Sequence, residues 1–263
     1  KWLKGRMAEA AEEPLDDADT SELIVGLECG GSDAWSGVTA NPAIGEASDL
    51  IVAAGGTVIL AETTEAIGAE HILAAQAITP EVGQKFLDIV EAYERRMKAS
   101  GSDYRMGNPS PGNKRGGLTT LEEKSLGCIK KGGTTPLMEV VRYADRPTKK
   151  GFVFMDTPGY DVDSVTGLTA GGAQVVLFST GRGSPTGSPI SPVIKVGTNT
   201  PLYRRMSQHI DVNAGVILDG EGSLESVGRE IFDKVHAVAQ GELSAAERHG
   251  HREFSIWRLA ETI

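Results

Sequence analysis

Apolar residues recur along this chain at two spacings. Val82, Phe86, Ile89, Val90 and Tyr93 follow helical spacing between Pro80, at a permitted first-turn position, and Gly101, and they predict a helix over residues 80–99. Short apolar runs at residues 23–27, 57–60, 137–143, 152–155, 174–178 and 193–196 each end in a polar or glycine-rich turn, the pattern of buried strands. Helical spacing also marks residues 45–54, closed by Gly55-Gly56, and residues 119–130. It returns at residues 223–239, where Ser223 suits an N-cap and Gly241 a stop. Residues 101–117 hold too much Gly, Pro, Asn and Ser for regular structure and read as a functional loop. Residues 1–20 read as the tail of a helix followed by an acidic linker.

Apolar strands that alternate with helices predict an α/β fold. The expected architecture is a mostly parallel open sheet, Rossmann-like, with helices on both faces, an N-terminal linker and a closing C-terminal helix. The folded unit is expected over residues 21–263, with no internal repeat.

Charge and composition narrow the function. The 263 residues carry 36 Asp+Glu against 26 Lys+Arg, a net charge of −10, which argues against nucleic acid as a partner because phosphate neutralisation needs a basic surface. No apolar run reaches the roughly 18 residues of a membrane span, and no leader is recognised, so no membrane partner is expected. Cys29 and Cys128 are too few for a disulfide framework, a zinc ribbon or a thiolate-only iron–sulfur cluster, and they fit a cytoplasmic setting. The 33 glycines exceed the usual share and cluster between apolar runs, where backbone must approach something closely.

In open α/β sheets ligands lie beyond the carboxyl ends of the strands. Cys29-Gly30-Gly31-Ser32-Asp33 follows the first strand: its glycines leave N–H groups to point at an anion, and Cys29 or Asp33 could ligate a metal or move a proton. The plain alternative is a small buried Cys beside a tight turn. Glu62, Glu65, Glu70 and His71 follow the second strand, and oxygen ligands with one imidazole suit Fe²⁺, Mn²⁺ or Mg²⁺. Against that, Glu70 and His71 open a helical stretch that could simply face solvent. Thr180-Gly181-Arg182-Gly183-Ser184 places a guanidinium between glycines, a candidate carboxylate clamp, and Lys195 would add a second cation if it points to the same rim. Asp211 and Asn213 read as a structural turn after His209, and His249 and His251 as solvent-facing tail residues.

One tempting pattern fails. Residues 107–114 nearly spell a phosphate-binding GxxxxGK[ST] loop, and Asp156-Thr157-Pro158-Gly159 nearly spells a GTPase magnesium motif. Asn113, however, separates Gly112 from Lys114, and Arg115 stands where a magnesium-binding Ser/Thr is required.

Five segments together, LECGGSDAWSGVTANPAIGEASD (residues 27–49), GGTVILAETTEAIGAEH (55–71), GNPSPGNKRGGLTTLEEKSLG (107–127), KGFVFMDTPGYD (150–161) and STGRGSP (179–185), resemble the large catalytic region of the altronate dehydratase family. That family also includes galactarate dehydratase and the large subunit of sulfolactate sulfo-lyase. The similarity covers about 200 residues in the family's order. It implies lyase chemistry on small anionic hydroxy acids with a divalent metal ion, Fe²⁺ favoured and Mn²⁺ or Mg²⁺ as alternatives. The DTPG form favours the altronate or sulfolactate branches.

By motif, Cys29, Ser32, Asp33, Asn41, Glu62, Glu65, His71, Asn108, Ser110, Asn113, Lys114, Thr180 and Arg182 carry over. The expected roles are metal binding by Glu62, Glu65 and His71, and an anion cradle at Gly30, Gly31 and Ser32. Further substrate contacts are expected from Asn41, Asn108, Ser110, Asn113, Thr180, Arg182 and Lys195. Proton transfer falls to a pair among His71, Asp33 and Lys114, with Cys29 and Arg182 also catalytic. The leading expectation is dehydration of a sugar acid such as D-altronate to a 2-keto-3-deoxy acid through a metal-stabilised enediolate. The alternatives are C–S cleavage of (2R)-sulfolactate to sulfite and pyruvate, galactarate dehydration, and a non-catalytic metal-binding or assembly module. Because the family places a small domain ahead of this region, a missing N-terminal small domain or small subunit is an expected partner, and a homo-oligomer is compatible.

Overall fold

The computed structural model describes residues 17–101 and 104–258, together with residues 2, 5 and 6. Most of the N-terminal helix tail and acidic linker expected over residues 1–20 lies outside the described residues.

Seven strands, β1 (Ile24–Cys29), β2 (Thr57–Leu60), β3 (Leu137–Val141), β4 (Gly151–Met155), β5 (Val175–Thr180), β6 (Val193–Gly197) and β7 (Val212–Asn213), form one sheet in the order β3-β4-β2-β1-β5-β6-β7. Every pairing is parallel, from Ile24 beside Thr57 in the centre to Val196 beside Val212 at the edge. Besides a four-residue helix at Tyr104–Gly107, the helices that matter here are α1 (Ala40–Ala53), α2 (Glu70–Ala75), α3 (Pro80–Ala99), α4 (Pro111–Arg115), α5 (Leu121–Cys128), α6 (Asp161–Ala170), α7 (Thr200–Arg205), α8 (Leu224–Ala239) and α9 (Ala245–Arg248).

The strands are apolar on both faces because both faces are covered. On β2, Val58 and Leu60 enter a core shared with α1, α3 and α8, while Ile59 enters a second core under Val165 and Leu168 of α6. On α3 the helical stripe buries Phe86 edge-on against Phe154 of β4, ring centroids 4.7 Å apart. Thr79 caps that helix by accepting from the Val82 N–H, and Pro80 follows at the first turn, where its missing N–H costs nothing. Ser223 caps α8 through a reciprocal hydrogen-bond pair with Ser226, and Gly241 beyond its end sits at φ 104°. Among the described residues no helix is long and apolar enough to cross a membrane.

Three local expectations need correction. The first helix begins at Ala40, five residues before the expected start, because its opening turns are built from small residues, Ala40, Ala43 and Gly45, that give no apolar stripe yet are buried, Gly45 against the Lys130 carbonyl. The loop at 101–117 contains α4, which forms because Ser110 and Asn113 cap each other across its first turn behind Pro111. Helices α6, α7 and α9 and the two-residue strand β7 go unpredicted: all are short, and α6 carries Gly167 and four β-branched residues, Val162, Val165, Thr166 and Thr169, so only packing stabilises it.

Candidate functional site

In the sheet order, β2 lies on one side of β1 and β5 on the other, so the chain reverses direction across the sheet between β1 and β5. The crevice outside the carboxyl ends of such strands is the usual ligand site of open α/β sheets. A cavity of about 640 Å³ opens there. Its floor is Cys29, Gly30 and Gly31 at the end of β1, with Glu62, Thr64 and Glu65 at the end of β2. Arg182 comes from beyond β5, Tyr160 and Asp161 from the start of α6, Lys124 from α5, and Asn108, Ser110 and Asn113 from the α4 region. Gly30 leaves space that a Cβ would deny, since one there would strike the Asp161 carboxylate and the Phe178 ring.

Glu62 sits at φ 71°, ψ 74°, a left-handed conformation uncommon for a non-glycine residue. Thr157 holds it there: its hydroxyl accepts from the Glu62 N–H at 2.7 Å and its carbonyl from the Thr63 N–H at 3.0 Å. Asp156 accepts from the Thr63 hydroxyl at 2.6 Å. The Asp-Thr-Pro-Gly run that mimics a magnesium motif therefore serves to set the end of β2.

Below the cavity lies a fully buried charged group. Cys29 Sγ donates to Glu62 Oε2 at 3.1 Å, and the Cys29 N–H donates to the same oxygen at 2.9 Å. Lys131 Nζ lies 3.5 Å from that oxygen and donates to Cys128 Sγ at 2.8 Å. The two sulfurs are 3.7 Å apart. Burial, with the neighbouring Cys29, pushes the Glu62 carboxyl up, and the contact with Cys128, with burial, pushes the Cys29 thiol up. Glu28 is also pushed up, by burial and by Glu62, and Ser164 Oγ meets it at 2.5 Å. Burial works against the Lys131 ammonium, but the surrounding Cys128, Cys29 and Glu62 outweigh it and raise its pKa. One cation thus shares a buried group in which the Cys29 thiol and the Glu62 carboxyl both hold their protons more tightly than usual.

Lys124 reaches the cavity from α5 and donates to Glu65 Oε1 at 2.6 Å and Asn108 Oδ1 at 3.1 Å. Burial disfavours its charge, yet Glu65 more than compensates and its pKa is raised. The other Glu65 oxygen is buried without a hydrogen-bond partner. Burial also raises Asp161.

A second cavity of about 510 Å³ shares Cys29 and Lys124 with the first and is closed by Ser32, Asp33, Asn41 and Cys128. Its wall depends on Gly37 and Gly127, where a Cβ on Gly127 would lie 2.9 Å from the Gly37 Cα. Only glycine at both positions lets α5 carry Cys128 this close to β1.

The cavity joins Cys29, Gly30, Gly31, Glu62, Glu65, Asn108, Ser110, Asn113 and Arg182 from the expected set. The other expected residues lie outside this cavity. His71 is exposed on α2 and lines neither cavity, because the helix turns it away from Glu62 and Glu65, so the expected Glu62, Glu65, His71 ligand set does not converge. Lys114 is exposed on α4 and lines neither cavity. Lys195 is buried, donates to the Thr186 carbonyl and lies 5.2 Å from the Phe178 ring centroid, short of the rim. The Thr180 hydroxyl accepts from the N–H groups of Gly183 and Ser184 and shapes the loop that presents Arg182. Asp33 faces the second cavity and accepts from Trp35, Ser36, Thr198 and Asn199, two donors on each carboxylate oxygen. Ser32 and Asn41 face the second cavity, and both ends of the Asn41 amide are used, by Gly127 and Ser179.

The sequence reading missed Thr64, Lys124, Cys128, Lys131, Tyr160 and Asp161. A signal existed for three of them: Lys124, Cys128 and Lys131 stand four and three residues apart, one face of a helix, and the expected helix over residues 119–130 ends one residue short of Lys131.

Outside the cavity, burial lowers Lys195 to about 8. Above that pH the folded protein sheds a proton that the unfolded chain, with an ordinary lysine near 10.4, still holds, so stability rises with pH between the two values. Urea unfolding should show wild type gaining about 2 kcal/mol relative to Lys195→Met from pH 8 to 10. Parallel pH curves would remove Lys195 as the cause.

Comparison with known proteins places these residues among relatives. The profile described as "D-galactarate/Altronate dehydratase, C-terminal" matches residues 20–262. The chain is 46% identical over 222 residues to galactarate dehydratase (L-threo-forming) of Escherichia coli (strain K12), covering 84% of this chain and 42% of that protein. It is 41% identical over 249 residues to altronate dehydratase of Bacillus subtilis (strain 168), covering 94% and 50%. To (2R)-sulfolactate sulfo-lyase subunit beta of Chromohalobacter salexigens it is 38% identical over 255 residues, covering 96% and 66%. The chain therefore spans about half the length of the two dehydratases.

Proposed function

Since the chain belongs to the D-galactarate/altronate dehydratase C-terminal family, we propose that residues 21–263 carry the catalytic cavity of a lyase that dehydrates a sugar acid such as D-altronate to a 2-keto-3-deoxy acid. The observation that carries this reading is one cavity at the sheet reversal that gathers a guanidinium, an ammonium and several carboxyls in a volume suited to a small polyhydroxy acid.

Dehydration removes the C2 proton beside a carboxylate and expels hydroxide from C3. The carbanion would stand next to an existing negative charge, so cations must hold the enediolate, help typically worth several kcal/mol. Arg182 and Lys124 supply that charge to the substrate carboxylate. Glu65, with one oxygen unpaired, takes the C2 proton, and Asp161, held up by burial, protonates the departing hydroxyl. The enol product then ketonises.

The divalent ion of this proposal would be held by a donor set different from the one expected. Cys29, Cys128 and Glu62 bring ligand atoms within 4.8 Å of one another, and two sulfurs favour Fe²⁺ over Mn²⁺ or Mg²⁺. Bound there, such an ion would supply a Lewis acid for the developing negative charge. Lys131, which touches two of the three donors, would have to give way.

Galactarate dehydration and sulfolactate cleavage use the same enediolate and differ in the pocket for the rest of the substrate or for the leaving group. A reducing, cytoplasmic setting and an upstream domain or small subunit complete the proposal, the latter supported by the share of the relatives that this chain leaves unmatched. The test is to offer altronate, galactarate and sulfolactate to the chain, alone and with the N-terminal portion of a relative added. A 2-keto-3-deoxy acid from altronate is expected. Sulfite with pyruvate would select the sulfo-lyase reading, and no turnover of any substrate in either form would leave an assembly module.

A further inference from the structure

We propose that Cys29 and Cys128 are a redox pair that closes into a reversible disulfide across the floor of the two cavities. The chain has two cysteines, 99 residues apart, and the fold brings their sulfurs into van der Waals contact at 3.7 Å. Both are free thiols, buried from bulk solvent. Cys29 nonetheless lines both cavities and Cys128 the second, so a small oxidant reaches the pair without unfolding the chain. Cys128 ends α5 and Cys29 ends β1, and both sit at the termini of their elements, where side-chain rotation can shorten the separation to the roughly 2.05 Å of an S–S bond.

The chemistry balances with a hydroperoxide as oxidant. The Cys128 sulfur, which accepts the Lys131 ammonium hydrogen bond, attacks the O–O bond of hydrogen peroxide, giving a sulfenic acid and one water. The Cys29 sulfur then attacks the sulfenic sulfur: the S–S bond forms, the S–O bond breaks, and hydroxide leaves as water with the Cys29 proton. Two thiols lose two electrons and two protons, and one peroxide becomes two waters. A dithiol reductant reverses the step. The bridge withdraws the Cys29 hydrogen bond from Glu62 and two of the three donors grouped there, so a lyase that uses this floor is shut off while bridged. That consequence rests on the proposed function; the bridge itself does not.

The experiment treats the reduced chain, with chelator present, with a few equivalents of hydrogen peroxide, then blocks remaining thiols and maps peptides by mass spectrometry. The expected result is one cross-linked peptide pair joining Cys29 to Cys128, two hydrogens lighter, restored by dithiothreitol and absent in Cys128→Ser. Two blockable thiols surviving oxidation, or sulfinic acid on either cysteine with no cross-link, would overturn the proposal. Because the readout is covalent, it holds even if none of the three acids is a substrate, and a chain that turns over substrate yet forms no bridge would refute the redox pair alone.

Discussion

Lys124→Met is expected to lower stability by about 3–5 kcal/mol and to abolish measurable lyase turnover. Lys124 and Glu65 form an ion pair at 2.6 Å with both side chains largely buried. Removing the cation leaves a buried carboxylate with no counter-charge, and the cost comes mostly from that stranded group. The double variant Lys124→Met, Glu65→Gln should therefore recover most of the stability, because the neutral amide needs no partner charge, while turnover stays lost. Denaturant midpoints for the single and double variants measure the first effect and product formation the second. A single variant as stable as wild type would show that the pair contributes little, and normal turnover would move the carboxylate clamp elsewhere.

Arg182→Ala is expected to raise KM and lower kcat, with kcat/KM falling by about 10²–10³. The guanidinium lies against Gly112 of α4, where a Cβ would collide with it, and its loop is tied by the Thr180 hydroxyl, so the fork is already positioned before substrate arrives. Arg182→Lys should recover only part of the loss, since an ammonium keeps the charge but not the planar two-point contact with a carboxylate. Steady-state kinetics on all three proteins decide it. If both constants are unchanged in the alanine variant, Arg182 takes no part.

Much of the fold was legible along the chain. Strands β1 to β6 were found to within two residues because parallel strands covered on both faces leave unbroken apolar runs, whereas the two-residue β7 was read as a turn; α3 was found to the residue because its stripe and its first-turn proline agree. The strand-end motifs were also visible: Cys29-Gly30-Gly31, Glu62 with Glu65, and Arg182 from the run after β5 do meet in one cavity.

What the amino-acid order alone determined, then, is which segments are strands and which of their ends carry chemistry, because both follow from spacings of a few residues. The tertiary structure decided which of those side chains share a volume. It turned His71 and Lys114 to the surface, spent the acceptors of Asp33 on neighbouring loops, buried Lys195 short of the rim, and brought Lys124, Cys128 and Lys131 beneath β1 and β2. The physical reason is that convergence depends on strand order, on helix rotation and on a backbone approach such as Gly37 against Gly127. None of these leaves a mark in local periodicity.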